Sequence, residues 1–390
     1  MRTVIALALG LPLALLAGLQ ALSSVLTYAA PDLAVTIFPL NGLAREHVAF
    51  ARFRESAGEG VGKELSAAAR AARDDARAAM ATDPLVPKAH VVMALASEPG
   101  EGRARILDLA SRFNRRDLAL QGLVIEQGLE AGDFPRTIET LDQILRVHPE
   151  YRERFFPILL DALAQPEGMP VFAEMLDGSA TWQERFLSYA VRRKAARPAL
   201  AQLRGDIDFM DDEFDAILIS GLASQGEVAL ARELYSRFAA SESEAVDEGT
   251  QLSWASDYPP FEWDLSDRRY VRAQPSLDGE RLEIFVQSGH GGLVARRIVD
   301  ARRAPFTILT SYAGSRPVRE DSVRLELTCL GQSAKAGEST IEPGRNRMSI
   351  NALPPDCSQL VIDIRARALR GEPALRFELE PIRFVAPGIG

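Results

Sequence analysis

The chain has 390 residues, 47% of them hydrophobic and 25% charged, with a net charge of −9. That length allows two or three domains, and the composition is that of an ordinary folded protein. Before Ala255 there are 36 acidic and 26 basic residues, and from there on 18 and 19; the front of the chain lacks the basic footprint that nucleic-acid binding requires.

In chain order, Met1-Arg2-Thr3 is followed by an uncharged run over residues 4–26. At about 1.5 Å per residue such a run spans roughly 30 Å, the hydrocarbon core of a bilayer. The spacing predicts a signal anchor within residues 1–30, in which Gly10, Pro12 and Gly18 are tolerated. A cleaved signal peptide, with Thr27-Tyr28-Ala29 as a poor cleavage site, and a buried core helix are the competing readings. Arg2 favours the cytoplasmic side for the N-terminus, which puts the bulk of the chain in a periplasm or cell exterior.

Residues 31–248 read as helical. Glu59-Gly60-Val61-Gly62 has no strand before it and reads as a linker, not a phosphate loop. An alanine-rich helix is predicted over 63–81, stopped by Asp83-Pro84. Helices over 88–97 and 103–113 follow, broken at Glu98-Pro99-Gly100. The strongest pattern lies at 118–149. Leu120, Leu123, Val124 and Leu129 mark one helix, and Phe134, Ile138, Leu141, Ile144 and Leu145 the next. Gly132 breaks the chain between them, Asp133 can cap the second, Pro135 falls in its first turn and Pro149 closes the unit. Further helices are expected over 151–164, 182–196, 217–223 and 227–239.

Within this part, Asp206, Asp208, Asp211, Asp212, Glu213 and Asp215 form an acidic run. Clustered carboxylates suit hard cations, but the glycine and closing glutamate of a calcium hand are missing. Acids in a first helical turn are also ordinary, since they favour its positive end. No metal and no cofactor is predicted. Trp182, Phe186 and Tyr189 share one helix side and are expected in a core.

After a polar acidic linker at 242–249 the character changes. Alternating runs appear over 281–286, 292–299, 306–312, 323–327, 347–351, 359–365 and 374–379, which predicts an antiparallel β-sandwich over 255–390. In the first, Leu282, Ile284 and Val286 fall on one face and Arg281, Glu283 and Phe285 on the other. Cys329 and Cys357 fit either a disulfide in an oxidising compartment or two buried thiols. Among the aromatics, Trp263, Tyr258 and Tyr270 are the candidates for contact with a glycan, against a core reading for most of the set. His290 sits in a glycine-rich turn with no catalytic partner in view.

The unit at 118–149 resembles a tetratricopeptide repeat in its Gly132-Asp133-Phe134 turn, Leu141, Ile144, Leu145 and closing Pro149, and departs from it at Ile125 and Thr137, which are large for close helix contact. Pro260-Phe261-Glu262-Trp263 resembles the opening of the jelly-roll domain in certain membrane-anchored bacterial tetratricopeptide proteins. Trp182 to Leu187 resembles a recurrent helix of that group, with Gln183 departing from it. The order of Cys329, Pro354-Pro355 and Cys357 also fits the group. The resemblance implies three things: a transmembrane helix, a TPR-like α-solenoid, and a jelly-roll-like sandwich. It also implies an inner-membrane, single-pass protein with its bulk in the periplasm, linked to cell-surface polysaccharide production or export. Repeats of this kind offer surfaces and do not catalyse. The expected function is a non-catalytic scaffold that binds envelope proteins through its repeats. The alternative is a carbohydrate-binding protein that uses the β-domain on a polysaccharide.

Overall fold

The computed structural model describes residues 2–58, 62–239, 251–314 and 321–386, with side chains from Gly10 onward. The expected linker residues 59–61 and 242–249 lie outside the described residues. The chain is helical as far as Ala239 and β-rich from Gln251 onward. It divides into two compact units, Met1–Phe186 and Leu187–Gly390.

The first unit opens with a helix over Arg2–Leu26. Among the described residues no helix is long and apolar enough to cross a membrane. The side chain of Asn41 caps helix Gly42–Ala57 by accepting from the Ala44 amide, and its own amide donates to Ser23 and Thr27 of the first helix. Glu46, 2% exposed, accepts from the Lys88 and Ala89 amides at the start of helix Pro87–Ala96. It therefore satisfies, from a distant helix, two of the amides that a helix start leaves unpaired. Burial outweighs those two bonds and holds its carboxyl above the usual range.

The alanine-rich segment is two helices, Lys63–Ala71 and Arg73–Thr82, broken at Ala72. The break places Asp74 and Asp75 in a new first turn, where the helix dipole favours acids. Ala68, Ala69, Ala72, Ala76 and Ala79 remain buried in the same core as Phe53, Val92 and Leu107. Helices Leu118–Ala131 and Phe134–Val147 form the expected pair. Gly132 turns at φ 69°, and Asp133 accepts from the Arg136 amide. The small residue at their contact is Gly128: a Cβ there would lie 2.4 Å from the Thr137 hydroxyl oxygen. Thr137 is accommodated because its partner has no side chain. From Gly42 to Leu163 each helix packs on its successor in the chain, and several also pack on the next but one.

In the second unit, helices Arg197–Leu203, Asp212–Ser224 and Val228–Leu234 precede thirteen strands among the described residues. These are β1 (Gln251–Leu252), β2 (Asp264–Leu265), β3 (Asp267–Arg268), β4 (Val271–Pro275), β5 (Leu282–Val286), β6 (Gly291–Asp300) and β7 (Phe306–Ala313). They continue as β8 (Val323–Cys329), β9 (Lys335–Thr340), β10 (Gly344–Ile350), β11 (Gln359–Arg367), β12 (Leu375–Leu379) and β13 (Ile382–Val385). All pairings are antiparallel. One sheet runs β1-β13-β7-β12-β5-β4-β3, with β10 also on β7, and the other runs β2-β6-β11-β8-β9. Their inward residues form one apolar core, with Leu282, Ile284 and Phe377 from the first sheet and Leu325, Leu327 and Ile362 from the second.

The helices that follow Leu187 belong with the strands because their side chains meet β-side residues. Tyr235 packs on Phe261 with ring centres 5.3 Å apart, and Arg232 pairs with Asp300 at 2.6 Å. On the outer face of the smaller sheet the charges alternate across four strands. Arg296 grips Asp363 through two bonds of 2.7 Å. Arg365 bridges Asp363 and Glu326, Lys335 bridges Glu326 and Glu338, and Arg324 completes the row on Glu338.

Cys329 and Cys357 form a disulfide with S–S 2.02 Å across 28 residues. Closing a loop of that length removes chain entropy from the unfolded state worth about 3–4 kcal/mol. Reduction, or the Cys329→Ala/Cys357→Ala variant, is expected to lower the stability of the β-rich unit by that order. Thermal unfolding with and without reductant reads this directly, and unchanged midpoints would show that the link constrains nothing.

Candidate site on the outer face of the larger sheet

The alternation of β5 aims Leu282, Ile284 and Val286 into the core, so Glu283 and Phe285 face outward. Pairing then decides their company. Arg272 on β4 and Arg376 on β12 stand directly opposite Phe285, one on each side. One step along, Gln274 and Glu378 stand opposite Glu283. Directly opposed residues on one sheet face are about 5 Å apart, close enough to act together. Two cross-strand rows result: a cationic row centred on an aromatic, and a polar-acidic row beside it.

These rows line a surface cavity of about 690 Å³ that reaches Ala313 and Gly314 at the end of β7. The guanidinium of Arg376 lies over the Phe285 ring at 4.9 Å. Arg272 has 63% of its side chain exposed, and its nearest acid, Asp267, is 3.9 Å away. Gln274 donates to Glu283 at 3.0 Å, and Arg281 donates to Glu378 at 2.8 Å. The hydrogen bond and charge of Glu378 raise the pKa of the Arg281 guanidinium above its ordinary value. Both carboxylates thus hold one partner each and retain further lone pairs for donors from outside. Such a cavity can bind: it offers an aromatic, guanidinium donors and carboxylate acceptors on a rigid sheet.

The residues expected to meet a glycan are elsewhere, and two are corrected. Trp263 is 0% exposed; its indole N–H donates to the Ser253 carbonyl at 2.9 Å, and its ring centre is 4.8 Å from that of Trp254. Tyr258 packs on Tyr235, and burial together with Asp212 and Asp215 pushes its hydroxyl up to about 12. Both are core residues with no face to offer a ligand. Tyr270 is half-buried and stacked on His290 at 4.1 Å. His290 is further held by a contact of 2.9 Å between its Nδ1 and the Ser288 carbonyl.

The acidic run is used by the fold. Asp211 caps helix Asp212–Ser224 by accepting from the Phe214 amide, and Asp215 forms a buried pair with Arg204. Among the described residues no three His, Cys, Asp or Glu side chains could hold a metal. Trp182 and Phe186 are buried as expected, with the Trp182 indole N–H donating to Asp142 at 3.0 Å.

The signal for the site was present in part. Phe285 is a large apolar residue on the outward face of an alternating strand, where it is half-buried. Its flanking arginines come from strands far apart in the sequence, which no local pattern brings together. The chain matches no family model and no curated protein.

Proposed function

We propose that the protein is a non-catalytic adaptor of a bacterial cell envelope that carries its own saccharide-binding domain. The observation that carries this reading is the cavity around Phe285 and Glu283 on the larger sheet. Sugars are recognised by an apolar platform combined with a few fixed polar groups in a shallow concave surface. Here the two carboxylates are engaged by Gln274 and Arg281, an arrangement suited to holding hydroxyl groups.

In this reading the β-rich unit is a jelly roll. The order β5-β12-β7-β10 in one sheet and β6-β11-β8-β9 in the other is that of two interlocked Greek keys, and supports it. The helices before Phe186 are a TPR-like solenoid, supported by their packing in chain order, and they engage an envelope protein. The uncharged run over 4–26 anchors the chain in the inner membrane. The rest then lies in the periplasm, where a disulfide persists. The saccharide belongs to surface polysaccharide that the assembly produces or exports.

The test is calorimetric binding of the full chain, in detergent micelles, to neutral and acidic hexasaccharides. At least one is expected to bind, and Phe285→Ala is expected to weaken it about tenfold, an aromatic contribution near 1.4 kcal/mol. Circular dichroism establishes that the variant is folded. If none binds to the folded wild type, or if Phe285→Ala binds equally well, the reading fails.

A further inference from the structure

The geometry points to an acidic saccharide, one that carries carboxylates such as a uronic acid, as the ligand of this cavity. The inference rests on the saccharide reading above and adds the ligand's charge. Arg376 is the decisive residue. Its guanidinium lies over the Phe285 ring at 4.9 Å, and among the described residues no carboxylate pairs with it. Attraction to the ring's π-face does not use up the guanidinium's N–H donors. Those donors lie in one plane and match the two oxygens of a carboxylate. The aromatic therefore fixes the orientation of a fork that has nothing of the protein's own to grip.

Arg272 stands on the other side of Phe285, largely exposed, its nearest acid at 3.9 Å. Two guanidinium groups thus face the cavity with weak or no internal neutralisation. The neighbouring row has the opposite character. Glu283 and Glu378 accept one bond each from protein and can accept more from hydroxyl groups. A hexuronic acid fits this division: carboxylate to the arginine row, ring hydroxyls to the acidic row. A neutral sugar would satisfy the acidic row and leave the guanidinium row idle. A bare polyanion without hydroxyls would meet Glu283 and Glu378 with like charge. On the smaller sheet, by contrast, Arg296, Arg365, Lys335 and Arg324 are all paired across strands.

The probes are a galacturonic acid hexamer and its fully methyl-esterified counterpart, which keeps the ring hydroxyls and removes the charge. Full chain in micelles is expected to bind the acid form at least about tenfold more tightly than the ester, the weight of one bidentate charged contact. Arg376→Gln is expected to lose about tenfold for the acid and little for the ester, which also shows that the variant's cavity is intact. Arg376→Lys, which keeps the charge and loses the fork, is expected to fall between. Equal binding of acid and ester, unaffected by Arg376→Gln, overturns the acidic assignment and leaves saccharide binding standing. Binding of neither form overturns both. A sulfated hexamer that binds as tightly as the uronate overturns the carboxylate assignment.

Discussion

Trp263→Ala is expected to destabilise the β-rich unit by about 3–5 kcal/mol, the range for removing a large aromatic from a packed core. The residue is fully buried and packs against Trp254, with the ring planes tilted by 42°. Its indole N–H is also the donor to the Ser253 carbonyl, so truncation removes that bond as well as the packing. Phe285→Ala, on an open face of the same domain, is expected to cost no more than about 1 kcal/mol. Urea unfolding followed by tryptophan fluorescence and circular dichroism compares the two. A Trp263→Ala protein within 1 kcal/mol of wild type, on the scale of a surface substitution, would mean that the core tolerates the hole. The contrast matters for binding studies: a change at Trp263 reports on folding, and only a change at Phe285 or Arg376 reports on the cavity.

Asp215→Ala is the second large effect. Arg204 and Asp215 have 9% and 5% of their side chains exposed and meet through two bonds, of 2.5 and 2.8 Å. Arg204 also donates to the Ile207 carbonyl and stacks on Phe238 at 4.4 Å. Removing the carboxylate leaves a guanidinium in an apolar setting without its counter-charge, which costs about 3–5 kcal/mol. The pair itself contributes much less than that figure, because both ions gave up water to form it. Replacing both residues, as in Arg204→Met/Asp215→Leu, is therefore expected to recover most of the loss. The urea midpoints of the single and double variants measure this. A double variant no better than the single one would mean that the cost lies in packing and not in the orphaned charge.

What the sequence made legible follows the range of the interactions. The helix pair at 118–149 was readable in its turn, cap and apolar spacing because each acts within a few residues. The small residue at its contact was not. Gly128 matters only through Thr137 of the next helix, and the residues expected to be small were Ile125 and Thr137 themselves. The alternation of residues 281–286 gave the two faces of β5 correctly. Strand β9, with the sequence KAGEST, escaped because an exposed edge strand has no buried face to write an alternation. Trp263 was misread for a related reason. Its polar neighbours Glu262 and Asp264 suggest a surface, yet Glu262 is itself buried, accepting from the Asp257 and Tyr258 amides, and the indole lies in the core. The cavity was the least legible part, since opposing Arg272, Phe285 and Arg376 requires the register of three strands, and register is a property of the whole sheet.

The paired charges on the smaller sheet have a consequence of another kind. With acids and bases alternating across β6, β11, β8 and β9, the field of each is cancelled by a neighbour within a few ångströms, well inside the Debye length of about 10 Å at 0.1 M salt. Seen from solution that ladder is electrically quiet, while on the larger sheet Arg272 and Arg376 stand in one row and Glu283 and Glu378 in the next, so charge there is divided between rows and not cancelled pair by pair. A ligand with one anionic end would be oriented at the cavity, its charge toward the arginine row, and would find no such direction on the ladder. A ladder whose charges are already answered gains nothing from the charges of a second copy, so the domain is expected not to self-associate through this row.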